Sequence, residues 1–302
     1  MLIEVQPSRS SWRVQRLMLL ALTATGLIAL LWRPVVRSGR LLAAPPQGWP
    51  GGPAISLRFD DGRPTQLRVG LPLFAELNVS ASFYLVCSWM HTGQYFYEHA
   101  NDSRPELWRE AAAHGHELAG HTYTHRCNTQ LEEASLSSMA EELSRCDSEL
   151  SELRGGATVA SFAYPCGQKV LGPGGSTSFE PLVEARPYTT ALGFPPRVRT
   201  ATGRWADLPP SLVEEVWVDS HVAPPWTALE ERLLAAAHAQ KWVILFGHGI
   251  HDDGGGTRPP EPWNVETSLL RRVVGLARRH GVRVDTVERI GASVSEYVAR
   301  DA

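Results

Sequence analysis

From Ala54 to Gly62 the chain reads AISLRFDDG, with Ile55, Leu57 and Phe59 alternating with Ser56 and Arg58. A two-residue period is that of a strand with one buried face, and the run stops at two carboxylates and a glycine, so the strand delivers Asp60 and Asp61 at its C-terminal tip. Three more apolar runs end on chemically active residues: ELAG before His121 of HTYTH, VASFAY at the turn Pro165-Cys166-Gly167, and WVILFG before His248. Helical spacing recurs over Leu67–Leu77, Leu107–Ala113, the stripe Leu136, Met139, Leu143, Cys146 and Leu150, then Leu229–Ala239 and Val265–His280. Ser80–Cys87, His116–Gly120, Val216–Val218, Trp242–Phe246 and Val282–Val287 have the character of strands. Strand and helix in alternation imply a parallel sheet or barrel. Sites in such barrels lie at the carboxyl ends of the strands, so Asp-Asp, His-x-x-x-His, the Pro-Cys-Gly turn and His248 are expected in one pocket. Residues 168–210, rich in Gly, Pro, Ser and Thr, read as substrate-side loops.

Upstream of the first strand, Leu17–Trp32 is uncharged and apolar, with Arg9, Arg13 and Arg16 before it and Arg33, Arg37 and Arg40 after it. The run is slightly shorter than the roughly 18 to 20 residues that a bilayer core requires, and Val35 and Val36 extend it if Arg33 snorkels. The expected organisation is a basic segment 1–16, a transmembrane signal anchor 17–36, a Pro/Gly linker 37–53 and a catalytic domain 54–300. That layout is a single-pass membrane protein; arginines flank the run on both sides and do not choose its orientation, and its domain is expected outside the cytoplasm only where its substrate lies there. A cleaved signal over residues 17–44, giving a secreted protein, is the other reading.

With 302 residues, 43% apolar and 20% charged, the chain supports one sizeable core. A net charge of −3 leaves no electrostatic footprint for nucleic acid. Of the four cysteines, Cys87 ends an apolar strand and is expected as a buried free thiol. Cys127 and Cys166 each follow a strand tip of the expected pocket, and a disulfide between them requires an oxidising compartment.

Catalytic zinc is held by imidazole nitrogens and a carboxylate with one position left open. His121 and His125 are four residues apart and can reach one ion from a helix or from a tight loop, and an aspartate from a neighbouring strand tip supplies a third ligand. Among eleven histidines such a pair is common on a solvated face, and Asp-Asp is common in turns. The strand ends beside both motifs decide for a divalent-metal site. His251, Asp252 and Asp253 precede a run of glycines and read as a solvated loop.

Four segments, Phe59-Asp60-Asp61-Gly62, His121-Thr122-Tyr123-Thr124-His125, Phe162-Ala163-Tyr164-Pro165-Cys166-Gly167 and Leu245-Phe246-Gly247-His248, together resemble the motifs of the polysaccharide deacetylases, carbohydrate esterase family 4, over about Ile55–Tyr297. The resemblance implies an α/β fold, a distorted (β/α) barrel of seven or eight parallel strands in a single catalytic domain. It implies metal-dependent hydrolysis of N-acetyl or O-acetyl groups on an acetylated carbohydrate. By position, Asp61, His121 and His125 would bind a divalent ion, zinc first, with cobalt, manganese or nickel as alternatives. Asp60 would be the general base and His248 the general acid. The Cys166 backbone N–H would face the oxyanion, with Tyr164, Pro165 and Leu245 around the substrate. Two departures stand out. Ala163 occupies the place of an arginine that orients the base, and the Asp/Trp pair of the fourth motif is not evident, Arg199, Trp205 and Asp207 lying in that region. Two other readings follow: hydrolysis of cyclic amides or ureides on the same fold, and carbohydrate binding without catalysis, which the missing arginine alone supports.

Overall fold

The computed structural model describes Trp49 and residues 51–92, 103–254 and 262–298. Its centre is β1, Ala54–Asp61, buried along its whole length. In chain order there follow α1 (Leu71–Glu76), β2 (Ser82–Leu85), α2 (Pro105–Ala113), β3 (Glu117–Gly120), α3 (Leu136–Leu153), β4 (Ser161–Ala163) and β5 (Thr190–Leu192). Next come β6 (Arg197–Arg199), β7 (Trp205–Asp207), β8 (Val213–Trp217), α4 (Trp226–His238), β9 (Trp242–Gly247), α5 (Thr267–Arg279), β10 (Arg283–Val284) and α6 (Val287–Val298). The sheet runs β8-β9-β1-β2-β3-β4-β5-β6-β7, with β10 pairing the start of β1. Every pairing from β8 to β5 is parallel, and so is that of β10 with β1, whereas β6 and β7 are antiparallel additions at one edge. This is the distorted (β/α) barrel, with seven parallel strands in succession and an eighth, β10, at the lower half of β1. The irregular stretch after residue 168 thus supplies sheet as well as loops.

Register brings the strand tips together. Arg58 of β1 lies opposite Phe246 of β9 and Ser82 of β2, so Asp60 and Asp61 emerge beside the ends of both neighbours. The outward face of the sheet, with Leu57, Phe59, Phe83, Leu85 and Leu245, packs on the helices. Phe83 meets Trp108 of α2 with ring centroids 5.3 Å apart, and Phe59 meets Phe74 of α1 at 5.6 Å. The inward face carries polar groups: Ser82 donates to Glu117, and Tyr84 shares a hydrogen bond of 2.8 Å with Ser161. α3 begins at a capping box in which Ser135 and Ser138 satisfy each other's backbone N–H groups, which is why the helix starts at Leu136 and presents Met139, Leu143, Cys146 and Leu150 to the core.

One expectation is corrected at the other end of the barrel. The segment to Val287, expected to be strand, holds only β10, and a helix follows. Val287, Ile290, Val294 and Val298 at helical spacing bury against Ala54, Tyr84, Trp242 and Ile244. The Thr286 hydroxyl accepts from the Arg289 N–H and buried Glu117 accepts from the Glu288 N–H, so both side chains cap the first turn. Trp49, within the expected linker, is also buried in this inner cluster.

The expected anchor at 17–36 and its basic lead lie outside the described residues. Among the described residues no helix is long and apolar enough to cross a membrane. The longest, α3, has 18 residues and carries Glu141, Glu142, Arg145, Asp147, Glu149 and Glu152, charges that hydrocarbon does not accommodate. The single-pass localisation, the membrane partner and the transmembrane and signal-anchor assignments are corrected accordingly.

Shortening Ile290 to alanine should open a cavity under the barrel and lower unfolding free energy by about 2–5 kcal/mol, read from denaturant titration. An unchanged midpoint would show that α6 does not close the core.

Candidate active site

The tip of β1 turns because two successive residues adopt left-handed backbone, Asp61 at φ 78° and Gly62 at φ 73°. Aspartate tolerates that region better than most residues, whereas a Cβ on Gly62 would lie 2.8 Å from Leu85. The turn points Asp61 toward β3, whose end leads into the HTYTH loop. That loop is not helical. Thr122 and His125 are left-handed, the Thr122 hydroxyl accepts from the His125 N–H, and Thr124 donates twice to Glu142 of α3 at 2.7 Å.

His121 is buried, and its Nδ1 donates to the Ala163 carbonyl at 2.8 Å. With the proton there, Nε2 is left as a lone pair. It faces Asp61 Oδ1 at 3.8 Å, and His125 Nε2 faces the same oxygen at 3.5 Å. Arg63 occupies Asp61 Oδ2, while Oδ1 is buried without a hydrogen-bond partner. Burial draws the His121 imidazole down to about 4, against the pull of Asp60, so the ring is neutral near pH 7. Burial would raise Asp61, but the surrounding His248, His125 and Arg63 hold it well below the usual carboxylate range. An orphaned buried carboxylate oxygen facing two imidazole nitrogens is a set of acceptors that lacks a cation. These three residues have ligand atoms within 4.8 Å of one another and form a possible metal-binding site.

Asp60 points into the barrel. Arg58, two residues back on the same face of β1, grips it at both oxygens, Nε to Oδ1 at 2.8 Å and Nη2 to Oδ2 at 2.6 Å. The third arm of the guanidinium, Nη1, donates to Glu215 of β8 at 2.8 Å, and the group lies between the rings of Tyr84 and Phe246, 5.1 and 5.0 Å from their centroids. Burial pushes Asp60 up, and Arg58 with His121 and His248 more than reverses this, leaving it below its ordinary value. Glu215, which receives one bond and keeps Oε2 unpartnered, is raised by burial. Asp60 is therefore the more acidic of the two carboxylates on Arg58. Its arginine comes from its own strand, which answers the alanine at position 163.

His248 follows β9. Its Nδ1 bonds Asp219 Oδ2 at 2.5 Å, its own N–H donates to Asp219 Oδ1 at 3.0 Å, and Trp217 Nε1 donates to Asp219 Oδ2 at 2.6 Å. Asp219 is fully buried. Trp263 stands edge-on to His248 at 5.4 Å and stacks on Trp217 at 5.6 Å. Burial lowers the His248 pKa, but the Asp219 bond and the charges of Asp61, Asp219 and Asp60 raise it above the ordinary imidazole value overall. Gln66 ties the two halves together, its amide donating to the Asp60 carbonyl at 2.6 Å and to the His248 carbonyl at 2.9 Å.

Asp219 and Trp217 thus form the Asp/Trp pair sought near residues 199–207. Arg199, Trp205 and Asp207 belong instead to the edge hairpin, bonded to Tyr188, Glu184 and Arg197. Asp253 accepts from Thr267 and Ser268 and caps α5. Tyr164 and Pro165 are buried, Cys166 is exposed at φ 53°, and Leu245 packs on the helix side while Phe246 takes the inner face. Cys87 is not a free thiol. It is disulfide-bonded to Cys146, Cα atoms 5.4 Å apart, and Cys127 is bonded to Cys166, Cα atoms 6.1 Å apart.

Residues 48–170 match the family model for polysaccharide deacetylase. The matched segment is a polysaccharide deacetylase domain. Among curated proteins, 81 residues are 40% identical to a chitooligosaccharide deacetylase of Sinorhizobium fredii, a match over 26% of this chain and 33% of that protein. The aligned stretch therefore spans a third of the relative. The Bc1960 peptidoglycan N-acetylglucosamine deacetylase superposes with a TM-score of 0.51 at 14% identity, covering 82% of this chain and 92% of that one, a likeness of fold. BA3943, a family 4 pseudoenzyme from Bacillus anthracis, gives a TM-score of 0.49 at 14% identity, over 81% of this chain and 67% of its own. Asp60, Asp61, His121, His125 and Cys166 lie within the matched region; Glu215, Asp219 and His248 lie beyond it.

Replacing Asp219 by asparagine removes the carboxylate hydrogen bond and one of the three charges that raise His248, leaving Asp61 and Asp60 against the lowering by burial, so its pKa should fall, as followed by NMR titration of the ring. A raised His248 stabilises the fold fully below the ordinary imidazole pKa and loses that contribution as pH rises through its folded value. The Asp219→Asn protein should show less of that pH dependence. An unchanged His248 titration would remove Asp219 from this role.

Proposed function

We propose that this protein is a metal-dependent hydrolase of the polysaccharide deacetylase family that removes N-acetyl or O-acetyl groups from carbohydrate, with residues 54–300 as the catalytic domain. The observation that carries the reading is the buried, unbonded Oδ1 of Asp61 facing the Nε2 atoms of His121 and His125. A divalent ion held there, zinc by its affinity for this donor set, would supply Lewis acidity that brings the pKa of a water from 15.7 to about 7.

The remaining steps belong to the chain. Asp60, kept ionised by Arg58, accepts the proton of the attacking water. The Cys166 N–H faces the charge that develops on the acetyl oxygen, where a fixed dipole is most effective. His248, whose pKa is raised by its contact with Asp219, gives a proton to the departing amine or alcohol. Trp217 and Trp263 shield that imidazole from bulk water. Carbohydrate binding without catalysis rests on the absent arginine at position 163, and Arg58 weakens that support by gripping Asp60 at both oxygens. No observation favours cyclic amides or ureides as substrates.

The test measures acetate release from acetylated chitooligosaccharides and acetylated xylan together with metal content. His121→Ala should lose both metal and turnover, whereas full metal occupancy in that variant would overturn the ligand set. Asp60→Asn should keep the metal and lose about 10²- to 10⁴-fold in kcat; loss of metal in Asp60→Asn with retention in Asp61→Asn would exchange the two carboxylates. Arg58→Ala should retain metal and lose about a hundredfold in kcat, because the base is no longer held in line. Arg58→Lys, which cannot grip two oxygens at once, should recover only part of the loss. Equal activity of all three Arg58 proteins would show that Asp60 needs no partner.

A further inference from the structure

Beside the Asp61-His121-His125 set lies a second group of potential ligands. His125, Cys127 and Cys166 also have ligand atoms within 4.8 Å of one another, with Cys166 exposed and the other two half-buried. In the structure the two sulfurs are bonded to each other and therefore cannot bind a cation. The crosslink joins the HTYTH loop to the turn after β4, and these are the loops that carry His125 and the Cys166 N–H.

The sulfurs do not depend on their mutual bond to stay close. Next to the disulfide, the Asn128 N–H donates to Gln168 Oε1 at 2.6 Å, and Gln168 Nε2 donates back to Asn128 Oδ1 at 3.3 Å. The Cys127 N–H donates to Gln130, and the His125 end is pinned through Thr122 and, by way of Thr124, to Glu142. Opening the disulfide thus leaves two thiols held across a paired loop and facing an imidazole. The other disulfide, Cys87–Cys146, is buried and out of reach of a reductant in solution.

We infer that reduction of Cys127–Cys166 creates a second metal site, with Cys127 Sγ, Cys166 Sγ and a His125 nitrogen as ligands. A dithiol reductant donates two electrons and two protons: the S–S bond breaks, two thiols form, and the reductant closes to its own disulfide. A divalent ion then takes both sulfurs, and the two thiol protons pass to the buffer. One imidazole and two thiolates form a soft donor set that favours zinc, cobalt or copper(I) over magnesium or calcium. Because His125 is common to both groups, metal taken by the sulfurs removes a ligand from the set assigned to hydrolysis. The inference rests on the proposed function only for that last consequence.

Cobalt(II) chloride is the probe, added to the full chain before and after treatment with dithiothreitol and its removal under argon. The number of free thiols reports which disulfide has opened, and circular dichroism reports that the fold persists. The oxidised protein should show only the weak visible bands of nitrogen and oxygen ligation. The reduced protein with two free thiols should add an intense sulfur-to-cobalt charge-transfer band in the near ultraviolet. That band should vanish in Cys127→Ser/Cys166→Ser and weaken in His125→Ala. A folded, reduced protein with both thiols free and no such band overturns the inference, as does a band that survives in the double serine variant. His121→Ala separates the two readings, since it should abolish the visible bands of the oxidised protein and leave the charge-transfer band of the reduced protein intact. If the oxidised protein binds no cobalt but the reduced one shows the band, the hydrolytic assignment fails and the sulfur site stands.

Discussion

The arrangement depends on a guanidinium enclosed in the barrel between two carboxylates. Arg58 is buried with Asp60 on one side and Glu215 on the other, under the rings of Tyr84 and Phe246. Removing one partner of such a pair leaves a charge stranded out of water, which costs about 3–5 kcal/mol. The interaction is geometrically demanding, because it needs β1 and β8 on either side of β9 at a fixed spacing. It also decides which carboxylate is the more acidic, two bonds going to Asp60 and one to Glu215. The parallel register that brings these strands level is therefore a requirement of the electrostatics as well as of packing.

The barrel has a polar, functional upper end and a lower end sealed by α6 and Trp49. The same strands serve both, since their alternate residues face the helices. Around the upper rim the chain uses positive φ at five non-glycine positions, Asp61, Thr122, His125, Asn128 and Cys166. Such residues persist where the surrounding contacts over-determine them. Here those contacts are the Thr122 hydroxyl, Glu142, and the disulfide that joins the rim loops.

Much of this was legible from alternation alone. The period of two in AISLRFDDG located β1, and the position of DDG, HTYTH and His248 after apolar runs located the rim. The same reasoning could have found more. Arg58 shares a face with Asp60 because it lies two residues away, and Asp219 follows an apolar run as His248 does. What periodicity could not give is pairing across the sheet: nothing in the sequence near Glu215 says that it meets Arg58, 157 residues away. α6 was missed because Val287 reads equally as the end of a strand, and the caps from Thr286 and Glu117 that start the helix involve a residue far off in the chain. Cys87 looked like a lone buried thiol because its partner, Cys146, also fits the apolar stripe of α3.

Gln66 has a consequence of a different kind. Its single amide nitrogen bonds the carbonyls of Asp60 and His248, the backbone from which both reactive side chains spring. The gap between those two groups is therefore fixed by one buried side chain in the first turn after β1, and not by the loops that border the cleft. Changes in those loops would leave that interval in place, because Gln66 holds it from inside the barrel.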